Sequence, residues 1–306
     1  MQQTTSHIDA DEKSAVPLIV DVDDSLVCGN LLMEGLARLC ATTPHKLFVL
    51  PLWLAAGRAA LKRKVASTVP LTLDTLILNP AVTDMIAQAK QEGRPVYLAS
   101  AADEQYLPAL AEHVKADGFL ASDGQENLAG EAKAQKLIAR FGERGFDYIG
   151  NEWRDLAVWK RARHVIAVNV SPALAKRVRA IDPDAQFLSQ SGGSLRDYLK
   201  ALRPHHWVKN ILVFAPLIAA HMMDAQAFGL AFAAFLALSA CASGNYLLND
   251  ILDLPDDRQH ETKRARPLAS GQVSIKYTFL LAFVLIFAGL AAAAAVSAEL
   301  VGMITV

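Results

Sequence analysis

Two long uncharged stretches, Ala225 to Asn249 and Tyr277 to Ala298, constrain the fold of this chain more than any other feature. Each exceeds the roughly 20 residues that an α-helix needs to cross the hydrocarbon core of a bilayer. A third apolar run, Asn210 to Met223, is too short unless it extends back through Trp207. No comparable run occurs earlier in the 306 residues, so we predict a soluble N-terminal part followed by a helical membrane part.

The distribution of charge predicts the orientation of the apolar runs. Arg203 and Lys209 lie at the start of the run that begins at Asn210, and further cations lie between Arg258 and Lys276. Cytosolic loops are enriched in Lys and Arg, so both clusters are expected on the cytosolic side. The polar, acidic N-terminus lacks the pattern of a secretory signal. We therefore expect a multi-pass protein of the inner (cell) membrane with its soluble domain in the cytoplasm.

Composition argues against two other classes of protein. The formal net charge of −1 gives no support for nucleic-acid binding, because proteins that bind phosphate backbones concentrate positive charge. The cysteines at 28, 40 and 241 form neither a CxxC pair nor an even framework, so no zinc site or disulfide scaffold is predicted.

The segment from Asn249 to Pro267 gathers oxygen ligands and cations at the end of an apolar run. Asn249, Asp253 and Asp257 are spaced four residues apart and share one helical face, with Asp250 one step round. Such a face suits Mg²⁺ bridged to substrate phosphates, and the following cations suit a pyrophosphate. A solvated loop that only sets membrane topology would carry a similar cluster.

In spacing and order this segment resembles the first aspartate-rich motif of the UbiA-type intramembrane prenyltransferase superfamily. The string Arg-Pro-x-x-Trp-x-Lys-Asn, residues 203–210, is similar to the branch that makes polyprenyl-phosphate phosphoribose from phosphoribosyl pyrophosphate. The resemblance implies an all-α transmembrane domain that uses Mg²⁺, a polyprenyl phosphate and a pyrophosphate-containing donor. The donor and Mg²⁺ contacts that it implies are Lys209, Asn249, Asp250, Asp253 and Asp257, and the phosphate contacts are Lys263 and Arg266. Pro255 predicts that the helix kinks or ends close to Asp253.

The N-terminal part opens with a short apolar run, Val16 to Val20, that leads into Asp21-Val22-Asp23. This pattern predicts a buried strand with two carboxylates at its C-terminal end, the edge where parallel sheets carry their active sites. Asp21 and Asp23 can then converge on one cavity as nucleophile and proton donor. A plain strand-to-turn junction explains the same residues equally well.

Four short motifs, taken in order, resemble the haloacid dehalogenase superfamily of aspartate-nucleophile phosphatases. They are Asp21-Val22-Asp23, the apolar strand that ends at Ser100, the helix start with Lys133, and Gly150-Asn151 followed by Asp155. The resemblance implies a doubly wound α/β domain with Asp21 as nucleophile and Asp23 as general acid/base.

Further site residues follow from the same resemblance. Ser100 and Lys133 would bind the phosphoryl group, and Asp21, Asp23, Asn151 and Asp155 would surround Mg²⁺. The family's fourth motif reads Gly-Asp, so Asn151 removes one negative charge and is expected to weaken metal binding.

The stretch between the first two motifs, residues 30–80, is too long for a plain connection and is interpreted as a helical cap. Within it, Leu47 to Gly57 is apolar but too short to span a membrane, and Arg58, Lys62, Arg63 and Lys64 follow. This segment either buries its apolar side on the domain or lies against an anionic membrane surface. The predicted boundaries are residues 1–188 for the α/β domain, 189–195 for a linker and 196–306 for the membrane domain.

Three functions of different class remain open at this point. The leading one is a Mg²⁺-dependent membrane transferase acting on a polyprenyl phosphate and a pyrophosphate-activated donor, fused to a hydrolase domain. In the second the α/β phosphatase is the only active part, and in the third the chain is an inactive membrane scaffold. After Ala298 the sequence has Glu299 and then only the apolar Leu300 to Val306, without a second acidic motif. We therefore expect a fragment of a longer product, or a disrupted one, that lacks transferase activity by itself.

Overall fold

The computed structural model describes residues 16–73, 76–189, 193–221 and 224–305. Within these ranges an α/β domain comes first and a group of apolar helices follows. Three predicted segments lie partly outside the described residues. They are the polar N-terminus, the linker and the end of the third apolar run.

Six short strands form one parallel sheet. They are β1 (Leu18–Val20), β2 (Val96–Asp103), β3 (Gly118–Ser122), β4 (Asp147–Gly150), β5 (Val165–Val168) and β6 (Gln186–Leu188). Their order is β3-β2-β1-β4-β5-β6, and every neighbouring pair is parallel. The chain adds β2 and β3 on one side of β1 and then crosses to add β4 on the other. The connection order therefore reverses between β1 and β4, which is where sheets of this kind bind ligands.

Successive side chains of the strands enter two apolar cores, one on each face of the sheet. Val20 and Leu98 belong to one core, and Ile19 and Ala99 belong to the other. Helices α4 (Pro80–Gln91) and α5 (Leu107–His113) cover the first face. The second face is covered by α6 (Glu131–Phe141), α7 (Leu156–Trp159) and α8 (Pro172–Ile181). The predicted doubly wound α/β fold is confirmed.

The insertion that follows β1 is helical. It contains α1 (Leu31–Thr42), a 3₁₀ helix (Pro44–Val49), α2 (Leu50–Ala55) and α3 (Arg58–Thr68). Asn30 caps α1, because its side-chain oxygen accepts hydrogen bonds from the backbone N–H groups of Leu32 and Met33. Around α2, the side chains of Phe48, Leu52 and Leu54 are 87%, 69% and 54% exposed. The segment therefore does not bury these apolar side chains on the domain.

The described residues from 193 onward are mostly helical. The helices are α9 (Leu195–Ala201), a 3₁₀ helix (Pro204–Phe214), α10 (Ala215–Ala219), α11 (Ala225–Leu252), α12 (Leu254–Gln259), a 3₁₀ helix (Lys263–Ala265), α13 (Ile275–Val296) and α14 (Ala298–Thr305). Among the described residues, α11 and α13 are long and apolar enough to cross a membrane, with mean hydropathies of 1.8 and 2.7. The third apolar run forms short helices instead of one long one. Helix α11 ends at Leu252, just before Pro255, as the sequence predicts.

Helices α11 and α13 pack closely because glycines lie at their contact. A Cβ atom on Gly289 would lie 2.5 Å from Sγ of Cys241 and 2.8 Å from the carbonyl oxygen of Ala237. A Cβ on Gly244 would lie 2.6 Å from Cγ1 of Ile286. Small residues allow this approach, which is how helices commonly associate in membranes.

The cap helix α1 joins the two parts of the chain. Ala37 lies in an apolar cluster with Ile251, Leu254 and Leu268 from the helical part. Beside this cluster, the Arg258 guanidinium donates to both carboxylate oxygens of Glu34, at 2.8 and 3.0 Å. Both side chains are 6% exposed, so the junction contains a buried ion pair.

Candidate active site

A cleft of about 430 Å³ lies at the carboxyl edge of the sheet, at the switch point between β1 and β4. Strand ends, cap helices, the loop before α6 and the first turn of α13 all contribute to it. Its polar lining residues are Asp21, Asp23, Asp24, Asn30, Arg58, Lys62, Asn127, Lys133, Asn151, Glu152, Arg154, Asp155 and Lys276. Asp21, Asp23 and Lys133, which the sequence analysis named as site residues, all line this cleft.

A buried chain of hydrogen bonds forms the floor of the cleft. Lys133 Nζ donates to Asp21 Oδ1 at 2.6 Å and to the hydroxyl of Tyr148 at 2.9 Å. The Tyr148 hydroxyl in turn donates to Asp155 Oδ1 at 2.8 Å. Lys133 comes from the first turn of α6 and Tyr148 from β4, so packing of the second core sets this geometry. The position of Tyr148 in the chain of bonds was missed, since an aromatic residue in a strand usually only fills the core.

Burial and neighbouring charges together determine the protonation of these groups. It raises the pKa of Asp21 to about 8, although the Lys133 ammonium opposes the shift. Burial by itself lowers the pKa of Lys133, but the carboxylates of Asp21 and Asp155 outweigh it and hold that pKa above its usual value. Lys133 is therefore a permanent positive charge beside Asp21.

Asp155 organises the loop after β4. Its Oδ2 accepts hydrogen bonds from the backbone N–H groups of Asn151 and Glu152, both at 2.9 Å, while Oδ1 accepts from Tyr148. The residue is 2% exposed. Both carboxylate oxygens are thus engaged by the protein, and Asp155 holds Asn151 at the cleft through backbone contacts.

Asp23 connects the end of β1 to the cap by a hydrogen bond. Its Oδ1 accepts a hydrogen bond of 2.7 Å from the backbone N–H of Leu31, in the first turn of α1. Burial raises the pKa of Asp23 above its usual value, and it raises that of the neighbouring Asp24 to about 6. A carboxyl group with a raised pKa can carry the proton that a departing alkoxide needs.

Cations from the cap complete the cleft, and the sequence analysis did not assign them there. Lys62 Nζ donates to the carbonyl oxygen of Ala101 and, at 2.7 Å, to Oδ1 of Asn127. Burial lowers the pKa of Lys62, and Asp23 opposes that shift. Arg58 also lines the cleft. The sequence analysis offered a membrane-facing position for both cations. Their spacing of four residues on α3 indicates that they share one helical face.

Ser100, which the resemblance placed beside the phosphoryl group, does not line the cleft. It is fully buried in β2, and its hydroxyl accepts a hydrogen bond of 2.9 Å from the backbone N–H of Ala102. The pairing of β2 with β3 shifts register between Ala99 and Asp103. This irregularity gives the Ser100 hydroxyl a partner in its own strand.

The structure divides the acidic segment at the end of α11 into two pairs. Asp250 and Asp257 are 5% and 1% exposed, whereas Asn249 and Asp253 are exposed. Arg266 bridges the buried carboxylates, contacting Asp250 at 3.3 Å and also Asp257. The predicted common face is therefore wrong for Asp257, because the helix breaks before Pro255 and turns that residue inward.

The remaining cations of this segment have different positions. Lys263 Nζ lies 3.5 Å from Asp257, and Arg203 donates to Asp250. Lys209 is exposed on the 3₁₀ helix Pro204–Phe214, which Trp207 attaches to α11 by a hydrogen bond of 2.9 Å to Ser243. Arg258 pairs with Glu34 of the cap.

The two clusters differ in how well they suit Mg²⁺. Within the described ranges, no group of three or more His, Cys, Asp or Glu side chains is arranged to hold a metal ion. In the cleft, the Asp21 carboxylate and the Asn151 amide are oxygen ligands on adjacent strand ends, and this donor chemistry fits Mg²⁺. Asp250 and Asp257 do not fit a metal in this arrangement, because arginines already neutralise them.

Comparison with known proteins identifies the class of the C-terminal part. Residues 211–306 match the UbiA prenyltransferase family, so this part of the chain is a UbiA-family domain. Proteins of that family are integral membrane proteins, in agreement with the lengths of α11 and α13.

Individual relatives cover different parts of the chain. The uncharacterized protein y4nM of Sinorhizobium fredii is 33% identical over 287 residues, which are 91% of this chain and 54% of the relative. Decaprenyl-phosphate phosphoribosyltransferase of Mycobacterium tuberculosis is 40% identical over 100 residues, which are 31% of this chain and 33% of the relative. The chain therefore spans about half the length of the first relative and aligns with a third of the second.

Solved structures resemble the chain in its N-terminal part. A phosphoserine phosphatase in its apo form superimposes with a TM-score of 0.41 and 19% identity, covering 61% of this chain and 98% of the phosphatase.

Proposed function

We propose that the α/β domain hydrolyses phosphomonoesters with Asp21 as the nucleophile. The observation that carries this proposal is the contact of 2.6 Å between Asp21 and the buried Lys133, in a cleft that also contains Asp23. A carboxylate nucleophile, a fixed cation and a second carboxyl group are the groups that two-step phosphoryl transfer requires.

The reaction proceeds through a covalent aspartyl phosphate. An Asp21 oxygen attacks phosphorus, the bond between phosphorus and the ester oxygen breaks, and Asp23 gives a proton to the departing alcohol. Water, from which Asp23 takes a proton, then attacks the aspartyl phosphate, releasing inorganic phosphate and restoring Asp21. Lys133 stabilises the negative charge of the phosphoryl oxygens and orients Asp21. Asp21 and Asn151 would hold Mg²⁺, which supplies further charge neutralisation when bound.

Phosphate release from p-nitrophenyl phosphate by the full chain, with Mg²⁺, tests the proposal. We expect Asp21→Asn to abolish turnover, whereas Asp117→Asn, at an exposed carboxylate paired with Lys90 outside the cleft, should leave it unchanged. Turnover that survives Asp21→Asn would refute the assignment of the nucleophile.

We further propose that the UbiA-family domain serves a Mg²⁺-dependent transferase that joins a polyprenyl phosphate to a pyrophosphate-activated donor such as phosphoribosyl pyrophosphate. The family match and the similarity to decaprenyl-phosphate phosphoribosyltransferase support it. The basic residues around Asp250 and Asp257, Arg266 and Lys263 among them, suit a pyrophosphate. This reaction would take place at the cytosolic face of the inner membrane.

Product formation from polyprenyl phosphate and phosphoribosyl pyrophosphate, followed by mass spectrometry, tests the transferase. A lipid-linked product that forms only with Mg²⁺ would support the transferase, and the absence of any product under these conditions would contradict the proposal.

A further inference from the structure

One residue of the membrane part lines the cleft of the α/β domain. Lys276 is the second residue of α13, and it shares the cleft with Asp21 and Asp23. Because an α-helix rises about 1.5 Å per residue, Lys276 lies within one turn of the start of this candidate span. The catalytic cleft is therefore at the level where α13 enters its apolar run.

The side chain of Lys276 is exposed, but buried contacts of its neighbours fix the start of α13 beside the cleft. The ion pair between Glu34 and Arg258 and the apolar cluster around Ala37 join the cap to the helical part. Ile275, next to Lys276, belongs to the same cluster and is 4% exposed. The distance between the cleft and the start of α13 is thus determined by packing, not by a flexible connection.

The lining of the cleft combines cations with apolar side chains. Arg58, Lys62 and Lys276 supply positive charge around the carboxylates, and Leu32, Leu54 and Leu61 of the cap add an apolar surface. Leu54 connects that surface to Leu52 and Phe48, which are exposed. A ligand with a phosphate head and an apolar tail matches this combination, because the cations attract the phosphate and the leucines contact the tail.

We propose that the cleft takes a phosphomonoester carried on a membrane lipid, whose headgroup reaches Asp21 from the bilayer surface and is bound by Lys276. This proposal rests on the proposed hydrolase function. The phosphate is the group transferred to Asp21, as in the reaction above, and the lipid alcohol is the leaving group that remains in the bilayer. Lys276 is thus a substrate-binding residue that the helical part contributes to the hydrolase.

The test compares substrates with equal headgroups and different tails, using the full chain in nanodiscs. Undecaprenyl phosphate and dioleoyl phosphatidic acid in the bilayer are compared with isopentenyl phosphate and dihexanoyl phosphatidic acid in water. We expect kcat/KM to be at least tenfold higher for the bilayer substrates. Lys276→Ala should lower kcat/KM for the bilayer substrates at least tenfold by raising KM, and Lys276→Arg should retain most of the original kcat/KM. Lys200→Ala, which removes an exposed cation of α9, is the matched control and should change it less than twofold.

The outcomes separate this proposal from the hydrolase itself. Equal kcat/KM for bilayer and water-soluble substrates, or no effect of Lys276→Ala, would overturn the lipid proposal while the hydrolase stands. Failure to cleave any of the four substrates or p-nitrophenyl phosphate would overturn both.

Discussion

Breaking the buried ion pair between Glu34 and Arg258 should destabilise the protein far more than breaking an exposed pair. The substitution is Glu34→Gln, which keeps the shape of the side chain and removes its charge. Both partners are 6% exposed and are joined by two hydrogen bonds of 2.8 and 3.0 Å. Loss of one partner from a buried pair costs about 3–5 kcal/mol, because the remaining charge stays buried without compensation.

Thermal unfolding in detergent, followed by circular dichroism, measures this cost. For a domain of this size, about 1 kcal/mol corresponds to roughly 2–4 °C in Tm, so we expect a decrease of about 6 °C or more. The matched control is Glu126→Gln, which breaks a pair with Lys136 whose side chains are 48% and 40% exposed. Exposed pairs contribute at most about 1 kcal/mol, so the control should shift Tm by less than about 4 °C.

A double substitution checks the physical reason. Replacing both partners by methionine removes both charges, so Glu34→Met with Arg258→Met should cost much less than Glu34→Gln alone. The reasoning fails if Glu34→Gln and Glu126→Gln shift Tm equally, or if the double variant is the least stable of all.

Three further predictions concern the cleft and the helices. Asn151→Asp should increase the affinity for Mg²⁺ at least several-fold, because it restores a negative charge among the ligands. The Mg²⁺ concentration dependence of phosphate release measures this affinity, and an unchanged dependence would show that Asn151 does not contact the metal. Burial raises the pKa of Asp21 to about 8, and only the ionised form attacks. For p-nitrophenyl phosphate, whose leaving group departs as a stable anion and needs no proton from Asp23, kcat/KM should therefore rise with pH and level off above about 8, and added Mg²⁺ should move that midpoint to lower pH. A profile for this substrate that falls with pH over the same range would contradict the role of Asp21. Gly289→Leu should force α11 and α13 apart and lower Tm. Gly229→Leu is the control, because nothing lies within 4 Å of a Cβ atom at that position, and it should leave Tm unchanged. Equal changes in Tm would show that the close contact does not contribute to stability.

The sequence predicted those features that depend on neighbouring residues. The apolar runs identified α11 and α13, the short run before Asp21 identified β1, and Pro255 identified the end of α11. In each case the length or period of the local pattern decides the element. The carboxyl edge of the sheet then followed from the general behaviour of parallel strands.

Contacts between distant residues could not be predicted in the same way. Arg258 belongs to a basic segment that suggested phosphate binding, yet its partner Glu34 lies 224 positions earlier. Lys276 was counted only as a cation that sets topology, and the packing of α1 on the helical part brings it to the cleft. Helical spacing placed Asp257 on one face with Asn249 and Asp253, and Pro255 predicted a kink or an end of the helix there, but not the direction in which Asp257 then points. These outcomes depend on tertiary packing, which local spacing does not determine.

Trapping the covalent intermediate on Asp21 tests the central claim most directly. The full chain is incubated with a ³²P-labelled phosphomonoester and Mg²⁺, quenched in acid, and mapped by mass spectrometry before and after hydroxylamine. The expected result is one hydroxylamine-sensitive phosphate on Asp21, present in the native chain and absent from Asp21→Asn. A phosphate on any other residue, or continued turnover in Asp21→Asn, would contradict the proposed mechanism.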